Sequence, residues 1–374
     1  MLLIRPMVRP SLVALLAFGC SSLRAATGST QVTTRSVSER GILEAQHARS
    51  EDVSLLVAAI GSNDSRLQRM AVRALGRFER PALRDAITPA LTASDPLVRA
   101  EAVNALGQSN ASFSFRTLLS TEQNTYVRGV IFETIGRVRT TPDSAEIILA
   151  RGLSEASVEA RAGAARGLES LLRRTPRTAR PSELTLIALR RAARDTSRAP
   201  IATELRENAL LAMSAAGDRD SVTAEAALRD SSEQVRRVAV SLLRRFTNDA
   251  SYIVRLQALR YAGTCERFIA ATSDENEHVV LAALDTLGAR TCDNALLARL
   301  ADDGRSWRVK AHALVSLARQ APNLAKPRVV SLATSPTWQA RVYAAVAARL
   351  LGDSATLGRL ARDAEPNVAI TAMT

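Results

Sequence analysis

The sequence predicts an all-α protein, a right-handed α-solenoid of stacked helix–turn–helix units. Three observations carry that prediction. A ten-residue phrase recurs eleven times, beginning at Leu67, Val98, Val127, Ala160, Leu205, Val235, Val254, Val279, Val309, Ala340 and Val368. Within each copy the apolar residues fall three and four apart, which is one face of an α-helix. A shorter amphipathic segment and a polar turn precede most copies, so the repeating unit is a pair of helices. Such a unit buries its apolar face only against its neighbours.

Along the chain, residues 1–20 read as an export signal. Arg5 and Arg9 precede an apolar run from Leu12 to Phe18, far shorter than the ~20 residues that span a bilayer. The stretch Leu16-Ala17-Phe18-Gly19-Cys20 resembles a bacterial lipoprotein box. Lipidation of Cys20 is therefore expected, with ordinary cleavage after Ala25 or Ala26 as the alternative. Residues 21–38 are rich in Ser and Thr and read as a flexible tether. The expected location is periplasmic or outer-envelope, with the membrane reached by the N-terminal lipid alone.

The repeat array occupies residues 39–374. Short helices are expected over Asp52–Ile60, Ala82–Leu91, Ser144–Leu153, Asn294–Leu300 and Ala355–Ala361. In the cleanest long helix Asp95 caps the start and Pro96 takes the first turn, where no backbone donor is lost. Val98, Ala102, Val103, Ala105 and Leu106 form its apolar stripe, while Arg99, Glu101 and Asn104 face away. Ala stands four places after the start in ten of the eleven copies, Ile131 being the exception. A small residue there lets helices approach closely. Gly76, Gly107, Gly136, Gly263 and Gly288 close five copies, where a left-handed helix-terminal residue is expected.

Successive copies start 31, 29, 33, 45, 30, 19, 25, 30, 31 and 28 residues apart. The longest gap contains a basic insertion at 173–184, whose Pro176 and Pro181 predict an exposed loop. The shortest marks an irregular, compressed unit near 247–263, with one short helix missing or fused and a kink near Asp249. The last copy stops inside its second helix without a polar capping helix. Solenoids cover their ends with such helices, so a longer parent protein is expected.

The long helices resemble the HEAT repeat family, including its bacterial lyase-type subgroup. The residues that carry the likeness are Asp95…Val98-Arg99…Ala102…Leu106-Gly107, Asp230…Val235-Arg236…Ala239 and Asp249…Val254-Arg255…Ala258. The resemblance implies a ladder of Asp–Arg pairs between successive units, interrupted where Gln68, Val280 and Ala369 replace the basic residue. It also implies a surface-presenting function with a protein partner, and no cofactor.

The formal charge is +13, and only Lys310 and Lys326 among the 50 basic residues are lysines. That skew reads as compositional bias. The densest run holds Arg173, Arg174, Arg177, Arg180, Arg190, Arg191 and Arg194 and ends at Arg198. It is read first as a solvated face, with an anionic lipid or glycan surface as the functional alternative. Nucleic acid is disfavoured by the export signal and by an aromatic content of 3%.

Trp307 and Trp338 each precede the phrase of adjacent units. Packing as a core plug beneath its own turn is the expected role of each; gripping a peptide as a pair on one edge is the alternative. Cys265 and Cys292 sit in similar contexts at the start of adjacent short helices. Two free thiols are favoured over a bridge, because stacked helices lie ~8–10 Å apart and a disulfide wants a Cα separation of ~5.5 Å.

Asp274-Glu275-Asn276-Glu277-His278 lacks the ligand spacing of a calcium loop and reads as a helix cap. His47, His278 and His312 fall in separate units, so neither a zinc site nor a His-dependent triad is expected. With no catalytic motif in view, the predicted function is a non-catalytic, macromolecule-binding scaffold of the bacterial envelope. The alternative is the client-binding arm of a cyclophilin-type peptidyl-prolyl isomerase whose catalytic domain lies beyond residue 374. Chromophore lyase and DNA glycosylase activities rank lower.

Overall fold

The computed structural model describes residues 37–110, 112–138, 142–176 and 178–374. The export-signal reading, Cys20 and most of the tether lie outside the described residues, as does Arg177. The first eleven helices are α1 (Glu39–Ala48), α2 (Ser54–Ile60), α3 (Ser65–Arg77), α4 (Arg84–Ile87), α5 (Pro96–Gln108), α6 (Phe115–Thr121), α7 (Thr125–Arg137), α8 (Pro142–Gly152), α9 (Val158–Arg174), α10 (Glu183–Ala192) and α11 (Ala202–Ala216). They are followed by α12 (Ser221–Ala227), α13 (Glu233–Leu243), α14 (Tyr252–Leu259), α15 (Cys265–Ala271), α16 (Glu277–Leu287), α17 (Asn294–Asp303), α18 (Trp307–Gln320), α19 (Pro322–Ala333), α20 (Trp338–Leu351), α21 (Ser354–Leu360) and α22 (Pro366–Met373).

The fold is an α-solenoid. The eleven phrases all fall on one row of helices, α3, α5, α7, α9, α11, α13, α14, α16, α18, α20 and α22. Each packs on its neighbours in the row and, α14 excepted, on the short helix before it. α1 extends the row by packing on α3 without carrying the phrase. Around α4, Pro81 and Pro89 break the expected short helix into one α-turn flanked by 3-10 turns, because neither proline can donate a backbone hydrogen bond.

The small-residue position does what close packing requires. Ala71, Ala102, Ala164, Ala209, Ala239, Ala258, Ala283, Ala313 and Ala344 are all fully buried, as is Ile131. The glycines correct the expectation of left-handed helix ends. Of the five, only Gly263 has a positive φ (75°). The others are pressed against the next helix: a Cβ on Gly76 would lie 2.7 Å from Ala105 Cα, and one on Gly288 would lie 2.5 Å from Ser316 Oγ. Closest of all are α7 and α9, where Gly129 meets Gly163 and Gly136 meets Gly167 backbone to backbone.

Two irregularities bear on function. α9 runs on through Arg173 and Arg174, so irregular chain begins only at Thr175 and α10 resumes at Glu183. Between α13 and α14 there is no helix; residues 244–251 cross instead, with Arg244 left-handed at φ 49°. Phe246 from that crossing sits against Arg267 at 5.0 Å. The main core cluster runs from Ile42 to Leu242, and a second starts at Leu259. Buried Val240, Val254 and Ala258 form a small cluster between them, with Leu228, Phe246 and Tyr261 packed on it.

Candidate functional site

The turns at the N-terminal ends of the long helices are built by arginine. In each rung the arginine donates one arm to carbonyls of its own turn and the other to an acid of the next turn. Arg255 shows the arrangement: its Nη1 reaches the Asp249 and Ala250 carbonyls at 2.8 and 2.9 Å, while Nε and Nη2 hold Asp274 at 2.8 Å each. Arg236–Asp249, Arg206–Asp230, Arg341–Asp363 and Arg99–Glu122 are bidentate in the same way. Arg161–Asp195 and Arg128–Glu155 complete the series.

The acid is fixed too, accepting the backbone N–H two residues on: Ser251 for Asp249, Asn276 for Asp274, Glu365 for Asp363. Hydrogen bonds from Arg236 and Arg341 hold the Asp249 and Asp363 carboxyls below the usual range. Burial pushes Glu122 up, but the Arg99 pair and the Asn124 N–H outweigh it and leave that carboxyl lowered.

No arginine stands in register at Gln68, Val280 and Ala369, where the resemblance implied interruptions, and the ladder also lacks a rung at one further place. Gln68 keeps only the carbonyl half of the role, donating to Ile60 and Ser62 at 3.0 and 2.7 Å. Lys310 donates to the Asp302 carbonyl at 2.7 Å and forms no carboxylate rung among the described residues. Its single ammonium cannot reach both ways as a guanidinium fork does.

Several arginines of the basic run already have partners. Arg190 is held by Asp218 at 2.9 and 3.0 Å and by Glu183 at 2.9 Å, and that pairing raises its pKa. Arg173 pairs with Glu169, and Arg174 donates to the Gly136 carbonyl. Arg194 donates to the Arg190 carbonyl at 3.2 Å. Arg173, Arg174, Arg180, Arg191, Arg194 and Arg198 are exposed, and Arg190 is half-buried.

The tryptophans correct the core-plug expectation. Trp338 is 38% exposed at the first position of α20. Half-buried Trp307 opens α18, with Arg308 over its ring at 4.8 Å and Tyr343 of α20 edge-on at 6.4 Å. The same edge carries Tyr252 at the start of α14, stacked on His278 of α16 at 6.2 Å. It also carries exposed Tyr126 and Leu97, each at the second position of its helix. Sequence reasoning missed these last four as members of one edge, although their positions two or fewer residues before the phrase were there to be read. His312 pairs with Asp285 at 2.7 Å and lies 4.9 Å from the Tyr343 ring.

Cys265 and Cys292 are bonded, with their Cα atoms 5.6 Å apart. This overturns the preference for free thiols. The bridge joins the first residue of α15 to the turn after α16, not two helix axes, so axis spacing does not limit it. In the acidic turn, Asn276 caps α16 and Asp274 belongs to a rung. Among the described residues no group of three or more His, Cys, Asp or Glu could hold a metal ion. No described helix is long and apolar enough to cross a membrane.

The fold and these turns define a helical-repeat scaffold. Residues 53–114, from α2 through α5, match the family model for HEAT repeats. Among solved structures, an engineered protein shares 17% identity, covering 87% of this chain and 98% of its own, with a TM-score of 0.32. Importin beta, crystallised in an ammonium sulfate condition, shares 14% identity over 86% of this chain at a TM-score of 0.45. This chain spans 50% of that importin beta chain. No curated protein matches it in sequence.

Proposed function

We propose that this chain is a non-catalytic scaffold that binds a protein partner along the N-terminal edge of its long-helix row. The observation that carries the reading is the alignment of Leu97, Tyr126, Tyr252, Trp307 and Trp338, each within two residues of a helix start and each exposed or half-buried. Aromatic side chains supply large contact area at low entropic cost and anchor protein interfaces. Arginine rungs fix the turns beneath all of them but Trp307, so most of the edge is preorganised and little ordering remains there for binding.

Export and lipidation at Cys20 would place this edge in the envelope, and the apolar run before Cys20 supports that. Intact mass of the mature N-terminus tests it. A diacylglyceryl adduct on Cys20 is expected, and an unprocessed Met1 contradicts it.

The partner reading is tested with a photo-crosslinking residue placed at Tyr126, Tyr252 or Trp338 and, as a control, at Val222 on α12. The edge positions should yield one common adduct in cells and Val222 should not. Equal adducts from Val222, or none from the edge, would contradict the assignment.

A further inference from the structure

The long-helix row is foreshortened at α14, which has 8 residues where α13 and α16 each have 11. A cleft of about 500 Å³ opens beside it, with half-buried Ile253 and Leu256 of α14 as apolar walls and buried Leu259 of α14 and Phe268 of α15 behind them. Three guanidinium groups line it: Arg237 of α13, Arg260 just past α14, and Arg290 in the turn after α16. No carboxylate does.

The three cations differ in what holds them. Arg290 lies over the Phe268 ring at 5.1 Å and donates to the Gly263 carbonyl at 3.1 Å. The Cys265–Cys292 bridge ties α15 to the turn that carries Arg290. Arg237 and Arg260 have no ion pair among the described residues, unlike the rung arginines. The Nε of Arg237 is buried with no hydrogen-bond partner. A buried donor without an acceptor is costly, so Arg237 stands in the cleft wall uncompensated.

We propose that this cleft binds an acidic–apolar peptide segment of the partner. A carboxylate would sit between Arg237 and Arg260, and the neighbouring apolar side chain against Ile253 and Leu256. The inference rests on the partner-binding reading and names a second contact for it. The volume fits a few side chains. A simple inorganic anion would leave the apolar walls in water, and an acyl chain would run out of an open cleft of this length.

The test is fluorescence anisotropy on the mature chain with a labelled hexapeptide alternating Glu with Leu and Phe, and with its Gln-substituted counterpart. The Glu peptide should bind about tenfold tighter or better, as charge-assisted bonds to two arginines require. Arg237→Gln and Arg260→Gln should each abolish that preference while circular dichroism and the melting temperature stay unchanged. Equal binding of both peptides, or an unchanged preference in either variant, would overturn the proposal. Competition by sulfate or laurate as effective as by the Glu peptide would also overturn it, assigning the cleft to a simple anion or a lipid. If the edge crosslinks persist while these peptides show no preference, the cleft assignment fails and the scaffold reading stands.

Discussion

Arg255 and Asp274 are each about nine-tenths buried, their side chains keeping 10% and 11% exposure. A pair so enclosed behaves unlike a surface pair, whose worth is commonly below ~1 kcal/mol. Removing Arg255 strands a buried acid and two carbonyls, so Arg255→Met should cost about 2–3 kcal/mol in urea denaturation. Arg40, paired with Glu44 on the exposed face of α1, should show no measurable change when replaced.

The same rungs set the response to acid. Asp249 and Asp363 have lowered pKa values in the fold, so their contribution is complete above the ordinary carboxylate pKa of about 4. It is lost as pH falls through the lower folded values. Melting temperature should therefore hold from pH 7 to about 5 and drop below about 4, with a smaller drop in Asp249→Asn. The rung arginines were legible because the phrase fixes their place. Lys310 was not, since a basic residue in register says nothing of fork geometry.

At the scale of elements, the α7–α9 crossing is the tightest joint. A Cβ on Gly163 would meet the Gly129 backbone, which cannot move as a side chain can. Gly163→Ala should cost about 1–3 kcal/mol despite favouring helix. Gly358 has open space around it, so Gly358→Ala should stabilise slightly, measured in the same thermal series. The terminal-glycine reading failed because a glycine near a helix end satisfies either a left-handed cap or a close approach, and the neighbour that decides is one repeat away. The cysteines were misread similarly: helix spacing was foreseeable, but attachment through a turn was not. Cys265→Ala with Cys292→Ala should cost about 3.5 kcal/mol, as expected for opening a loop with a sequence separation of 27.

Over the whole molecule, the row of long helices was readable from Leu67 onward because its period and buried alanines repeat. α1 was not, as it packs in the row without the phrase. The aromatic edge also escaped, since single exposed residues acquire meaning only when the stack aligns them. What the stack implies for stability is specific. Each unit is sealed only by its neighbours, and the seal is thinnest where Val240, Val254 and Ala258 are the only fully buried members of the cluster between two larger ones. Native-state hydrogen exchange across a urea series tests this most directly. Helices α1–α13 and α14–α22 should lose protection at separate midpoints, with residues 244–251 exchanging first. A single midpoint shared by every helix would contradict it.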